Sequence, residues 1–282
     1  VTPLPWAAEK SVLSQAEQIR EEIVVTANRN TQPLKHTGNS ISVISKEQIE
    51  NRGFDFASEA MRQIPGLSVN QSGPIGSATQ IRIRGAEANH TLVLIDGFNA
   101  NDPAIGSEFN FADLTTFDVD QIEIVRGSQT ALYGSDTIGG VINLITSTPD
   151  KTGFSGKASV AAGNNQSGLY LLNLNSKGER HYVLANFSKY NTNGTNSSLM
   201  GSEEDGYENQ TELLKFGFEL TQELTATLQA RRSSNQVETD PQDFAFPATE
   251  TQGLVIDGDD WSETSQRYNA LALSYKNIDR PI

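Results

Sequence analysis

Between residues 211 and 231 the side-chain character alternates with a period of two and continues through a tight turn. TELLKFGFEL puts Leu214, Phe216, Phe218 and Leu220 on one face and Leu213, Lys215, Gly217 and Glu219 on the other. ELTATLQAR then sets Leu224, Ala226, Leu228 and Ala230 against Thr225, Thr227, Gln229 and Arg231. Such alternation belongs to a strand with one apolar face, and a tight connection joins antiparallel neighbours. HYVLANFSKY and RYNALALSY alternate less cleanly. With KASVAAG and SGLYLLNLN before them, residues 154–282 supply about six strands. A water-soluble sandwich and a membrane barrel both produce this pattern. Connection lengths favour the barrel: 176–179 and 221–222 read as short turns, 191–210 and 233–264 as long loops. Outer-membrane barrels show that asymmetry. A barrel that holds a plug needs about 22 strands. The sequence closes on DRPI, where proline ends strand pairing, so the barrel reads as incomplete and truncated at its C-terminus.

Other classes are disfavoured. No stretch approaches the roughly 20 consecutive apolar residues of a spanning helix. A mean hydropathy of −0.43 does not count against strands, whose alternation hydropathy averages conceal. The net charge of −14 is regional: residues 201–263 hold 15 acidic against 3 basic residues, a balance of −12. Such acidity disfavours nucleic acid and suits solvated loops or hard cations that prefer oxygen ligands. The absence of cysteine removes disulfides, thiolate zinc sites and cysteine nucleophiles. The three histidines (His36, His90, His181) stand at unrelated positions, and there is no G-x-S-x-G or phosphate loop. The acidic clusters also lack a basic partner, so an enzyme and a catalytic cofactor are not expected.

Residues 1–30 carry no sustained period and read as a flexible arm, with Pro5, Trp6, Ala7 and Ala8 resembling either the end of a signal peptide or an ordinary irregular start. The β-branched run Ile23, Val24, Val25, Thr26 interrupts the arm, either as an edge strand or as a tethered recognition strand for another protein's sheet edge. Residues 31–148 predict a compact α+β domain, a small mixed four-stranded sheet with short helices. SISVIS (40–45) is a strand whose Ser45, with Gln48 three residues on, starts a helix by a capping box. A second helix is expected over 56–63, and strands at TQIRIRG, HTLVLIDG, QIEIVRG and GGVINLIT.

At this point four blocks, in order, resemble the TonB-dependent outer-membrane receptors, and cobalamin receptors in particular: EEIVVTANR (21–29), RQIPGLSVNQSG (62–73), IRIRGAEANHTLVLIDG (81–97) and VDQIEIVRGSQTALYGSDTIGGVINLIT (119–146). Ser128-Gln129 departs from the proline the family usually has there. The resemblance implies a plug domain inside a transmembrane barrel of the Gram-negative outer membrane, in contact with its lipid. It implies that Glu22, Ile23, Val24, Val25, Thr26 and Ala27 form the TonB box, which pairs with TonB of the inner-membrane energy-transducing complex. The nutrient is implied to bind on plug loops at 70–79 (Ser72, Gly73, Ile75, Ser77) and 99–110 (Asn99, Asn101, Asp102, Ile105). Arg82, Arg84, Glu123 and Arg126 read either as solvated charge or as ionic contacts between plug and barrel. Calcium in the extracellular loops is implied at Glu203, Asp205, Asp240 and Asp243, against the alternative of an acidic solvated loop. Cobalamin is the first expected ligand; a siderophore or other metal chelate is the alternative, and a non-transporting surface adhesin stands behind both.

Overall fold

The computed structural model describes residues 23–24, 32–34, 37–198 and 201–275. Two short strands come first, β1 (Ile23–Val24) and β2 (Gln32–Pro33), paired antiparallel. A five-stranded mixed sheet follows, built from β3 (Ser40–Ser45), β6 (Thr91–Ile95), β7 (Phe98–Asn99), β8 (Val119–Arg126) and β9 (Gly140–Thr146) in the order β3-β8-β9-β6-β7. Only β6 and β9 run parallel. Strand β6 is buried along its whole length, which is why TLVLI is continuously apolar instead of alternating. The helix α1 (Lys46–Arg52) begins with the expected capping box, Ser45 accepting from the Gln48 amide and the Gln48 side chain accepting from the Ser45 amide. It ends at Gly53, in the left-handed conformation that favours glycine. Helix α2 (Ala57–Met61) is shorter than the expected 56–63. Ile49, Ala57, Ala60 and Met61 of these helices close over Ile44, Ile122, Ile124, Ile142 and Leu144 of the sheet.

The sheet differs from the predicted four strands in two ways. The two-residue β7 adds an edge. TQIRI is not in this sheet: as β5 (Thr79–Ile83) it pairs with β4 (Leu67–Gln71) as a separate hairpin, whose Ile81 and Ile83 point into the same core. A last short helix, α3 (Thr130–Tyr133), leads toward β9.

The remainder is one antiparallel meander: β10 (Gly153–Ala162), β11 (Gly168–Lys177), β12 (His181–Thr195), β13 (Asp205–Glu219), β14 (Leu224–Thr239) and β15 (Asp260–Tyr275), each paired with the next. These six strands form an open wall rather than a closed barrel. Strands β12 to β15 run 15–16 residues, so the ends of what read as long loops at 191–210 and 233–264 are strand, and the excursions shorten to 196–204 and 240–259. The asymmetry persists: tight connections at one end, the excursions between β12 and β13 and between β14 and β15 at the other.

Candidate functional site

The alternation decides how the wall meets the plug. Leu214, Phe216, Phe218, Leu228, Leu271 and Leu273 are exposed and lie in register on the outer face. The opposite face of the same strands buries Asn209, Thr211, Leu213, Lys215, Gln229, Arg231, Ser233 and Asn235. Seven of these eight side chains are polar, and what they cover is the plug. The apolar face is the one turned away from the protein.

Two ion pairs cross from plug to wall. Arg231 Nε donates to Asp118 Oδ2 at 2.8 Å, with both side chains at most 3% exposed. Lys215 Nζ lies 3.2 Å from Asp96 Oδ2, and the same carboxylate accepts from the amide and hydroxyl of Thr146. Beyond the Arg231 pair, toward the long-loop end, sits Asp113, whose carboxylate accepts from Asn235 Nδ2 and whose backbone oxygen accepts from Asn209 and Ser233. Nearer the long-loop end an apolar contact takes over: Phe56 packs edge-on against Tyr190 at 5.6 Å and beside Tyr207 at 5.9 Å, with Val237 and Ile75 completing the cluster. Tyr207 also donates to the Ala112 carbonyl.

Burial pushes the Asp113 carboxyl up from 3.8 to about 7, against the lowering effects of the Asn235 hydrogen bond and the Arg231 charge. A pKa raised in the docked state means that the docked plug holds a proton which the released carboxyl gives up. This contribution to docking is full below about pH 4 and is lost as pH rises through about 7. The expected result is a urea midpoint that falls between pH 4 and pH 7 in the parent protein and falls less in Asp113→Asn. Equal slopes in the two proteins would remove Asp113 from the account.

The candidate residues distribute unevenly. Arg82 pairs with Glu87 at 3.1 Å, and Arg126 donates to Ser40 and to the Pro65 carbonyl, so both are tied within the plug. Arg84, at φ +52°, lies beside Gly66 and Gly127. Glu123 is buried and accepts from Gln121 Nε2. Among the described residues the ion pairs to the wall are made by Asp96 and Asp118. A signal for the wall side was available: Lys215 and Arg231 are cations on the face opposite the leucines.

Of the first plug loop, Ser72 donates to the Ala78 carbonyl, Gly73 is exposed, Ser77 is buried and Ile75 leans into the aromatic cluster. A Cβ on Gly76 would lie 2.2 Å from the Tyr207 ring, so this loop rests against the wall. In the second loop Asn101 is spent on the fold: it accepts from Val93 N and donates to the carbonyls of Thr91 and Ser107. Asn99 accepts from Asn101 N and Asp102 from Ala104 N, leaving Ile105 as the exposed apolar tip at 51%.

Among the acidic residues, Asp205 is buried and accepts from Ser197 N, and Asp240 accepts from Gly258 N. Glu203 is pushed up by desolvation and then by repulsion from Asp259, Asp240, Asp257 and Glu238. Asp243 belongs to another knot, held below its usual range by Thr249, Thr251 and the Ala245 amide. Among the described residues no three such groups are arranged to hold a metal ion, so the four predicted ligands are not brought together. Of the TonB box, Ile23 and Val24 pair with Pro33 and Gln32, while Glu22, Val25, Thr26 and Ala27 lie outside the described residues.

Residues 33–141 match the family model of the TonB-dependent receptor plug domain. The vitamin B12 transporter BtuB of Photobacterium profundum is 38% identical over 169 residues, which is 60% of this chain and 27% of that protein. BtuB of Vibrio vulnificus (strain YJ016) is 40% identical over 133 residues, 47% of the chain and 22% of the transporter. The chain thus spans about a quarter of the length of these relatives. In fold it is similar to the ferripyoverdine receptor of the outer membrane of Pseudomonas aeruginosa (TM-score 0.73, 17% identity, 89% of this chain and 34% of that one). It is likewise similar to the siderophore receptor PiuA from Acinetobacter baumannii (TM-score 0.69, 23% identity, 88% and 35%). No helix among the described residues is long and apolar enough to cross a membrane, which leaves strands untouched. Residues 33–141 thus match the plug domain of TonB-dependent receptors, a polar-inside, apolar-outside wall of strands follows it, and in sequence the chain is similar to transporters of the BtuB type.

Proposed function

We propose that this chain is the plug-bearing part of a receptor that takes up a scarce nutrient across the outer membrane with energy from TonB. The observation that carries the reading is the plug's seat on the wall, made largely of ion pairs and polar contacts that water can replace when the plug moves. Cobalamin is the favoured ligand, because the similarity to vitamin B12 transporters reaches 38% over 169 residues, whereas the siderophore receptors share only the fold. The acidic rim supports this choice, since residues 201–263 carry −12 and repel an anionic ferric chelate more than a neutral corrinoid. Ile105, exposed at the tip of the second loop, offers the ligand an apolar contact.

On this reading TonB takes the segment 22–27 as an added strand, whose parallel hydrogen bonds share the load with little dependence on side chain. Val25→Pro removes one amide donor and fixes φ. In the intact receptor this change is expected to abolish energy-dependent uptake of labelled cobalamin while leaving cobalamin binding to outer membranes unchanged. Undiminished uptake would remove segment 22–27 as the TonB strand. Binding of a ferric siderophore in place of cobalamin would reassign the ligand.

A further inference from the structure

We propose that the outer face of the wall carries a binding site for a phosphorylated glycolipid of the outer leaflet, formed by Arg232 and Arg267. The proposal rests on the reading of these strands as a membrane wall. Residues 201–263 contain three cations, and two of them, Lys215 and Arg231, face inward and are held by Asp96 and Asp118. Arg232 is the third and points the other way, exposed on the outer face. Its direct neighbour across β14 and β15 is Arg267, also exposed. Neither makes an ion pair with a described residue. Like charges directly opposite on a sheet repel, so this pair costs stability unless an anion lies between the two guanidinium groups.

Their height on the wall identifies the anion. One register step toward the tight turns, the same face carries Leu214, Ala230 and Asn269, and the step after that carries Phe216, Leu228 and Leu271. The two arginines therefore stand at the rim of the apolar face on the long-loop side. A groove of about 330 Å³ runs there, with Leu214 and Ala230 along it and Arg232, Arg267, Asn269 and Glu212 around it. An apolar floor under paired guanidiniums fits a lipid whose phosphate lies at the boundary between headgroup and acyl chains; a free phosphate would leave the floor unused. Arginine suits this task because its planar fork can bind phosphate through two parallel hydrogen bonds. Glu212, across β13 from Arg232, offsets one of the two positive charges and leaves the row net positive. Farther up the face Lys189 is already taken by Glu208 at 2.8 Å, which leaves the arginine pair as the open cationic position in this part of the wall.

The test uses the intact receptor purified from outer membranes, with bound lipid counted by native mass spectrometry. In nanodiscs containing phosphorylated lipid A, Arg232→Gln/Arg267→Gln is expected to lower lipid occupancy by roughly tenfold, and Arg232→Lys/Arg267→Lys by less, because charge is kept while the fork is lost. Wild-type receptor with enzymatically dephosphorylated lipid A is expected to show the same loss, an arm that does not depend on any variant folding. Inorganic phosphate should not compete; if it displaces the lipid completely, the site is a phosphate site and the lipid assignment falls. Unchanged occupancy in the double glutamine variant, or with dephosphorylated lipid, overturns the proposal. Fractionation of the same cells separates the two readings: absence of the wild type from the outer membrane defeats the membrane wall itself, whereas correct insertion with unchanged lipid defeats only the arginine site.

Discussion

Replacing Arg231 with methionine is expected to cost about 3–5 kcal/mol of plug-to-wall stability, because the buried Asp118 side chain is then left without its partner. Both side chains are at most 3% exposed, so water cannot take the place of the guanidinium without opening the interface. The contact is a single Nε–Oδ2 bond of 2.8 Å, and Asp113 also loses the nearby charge that favours its ionised form. The measurement is urea unfolding of the purified protein, together with protease cleavage of the plug, which should appear at lower urea in the variant. Adding Asp118→Asn to Arg231→Met should recover much of the loss, since removing both charges also removes the burial penalty. If the double variant is as unstable as the two single losses summed, the pair contributes by packing and not by charge.

The second large effect is expected inside the plug. Gly140 opens β9 at φ +155°, and a Cβ there would lie 2.3 Å from the Val125 carbonyl oxygen and 3.0 Å from Ile83 Cδ1. Neither neighbour is free to retreat: Val125 is held in β8 by its pairing with Val141, and Ile83 is fully buried. Gly140→Ala therefore combines an unfavourable backbone conformation with overpacking, and a loss of about 3–5 kcal/mol is expected. Gly85→Ala is the control, with φ +80° but nothing within 4 Å of the added carbon. It should cost only about 1 kcal/mol, from strain alone. Thermal unfolding of the two variants separates the effects, and similar midpoints would show that the Val125 contact relaxes.

Local rules made part of this structure readable. Ser45 and Gln48 set the start of α1 because a capping box acts over three residues, and the period of two from residue 211 to 231 described β13 and β14 because alternation is a property of one strand at a time. The pairing of β5 with β4 instead of with the central sheet was not legible, since TQIRI has the same apolar face in either place and the choice of partner is not local. Loop 99–110 is ambiguous for a different reason. Its Gly, Ser and Asn content fits a ligand surface, but Asn101 directs its amide to Val93, Thr91 and Ser107, and side chains that hold a loop in shape are the same types that would grip a ligand. The arginines and Glu123 of the plug strands stand out as charges in β segments, whereas Asp96, Asp113 and Asp118 sit at strand ends and in a short turn, where sequence offers no face to assign.

The seat of the plug on the wall also has a kinetic meaning. Its contacts are separate rungs: Lys215 with Asp96, Arg231 with Asp118, Asn235 with Asp113, then the ring cluster at Tyr207. A plug drawn along such a surface trades them for water one after another, so resistance arrives as a series of small barriers. The withdrawal behaves like friction on a ratchet rather than the rupture of a single bond, and how long it takes depends on the height of the tallest rung, not on the sum of them all.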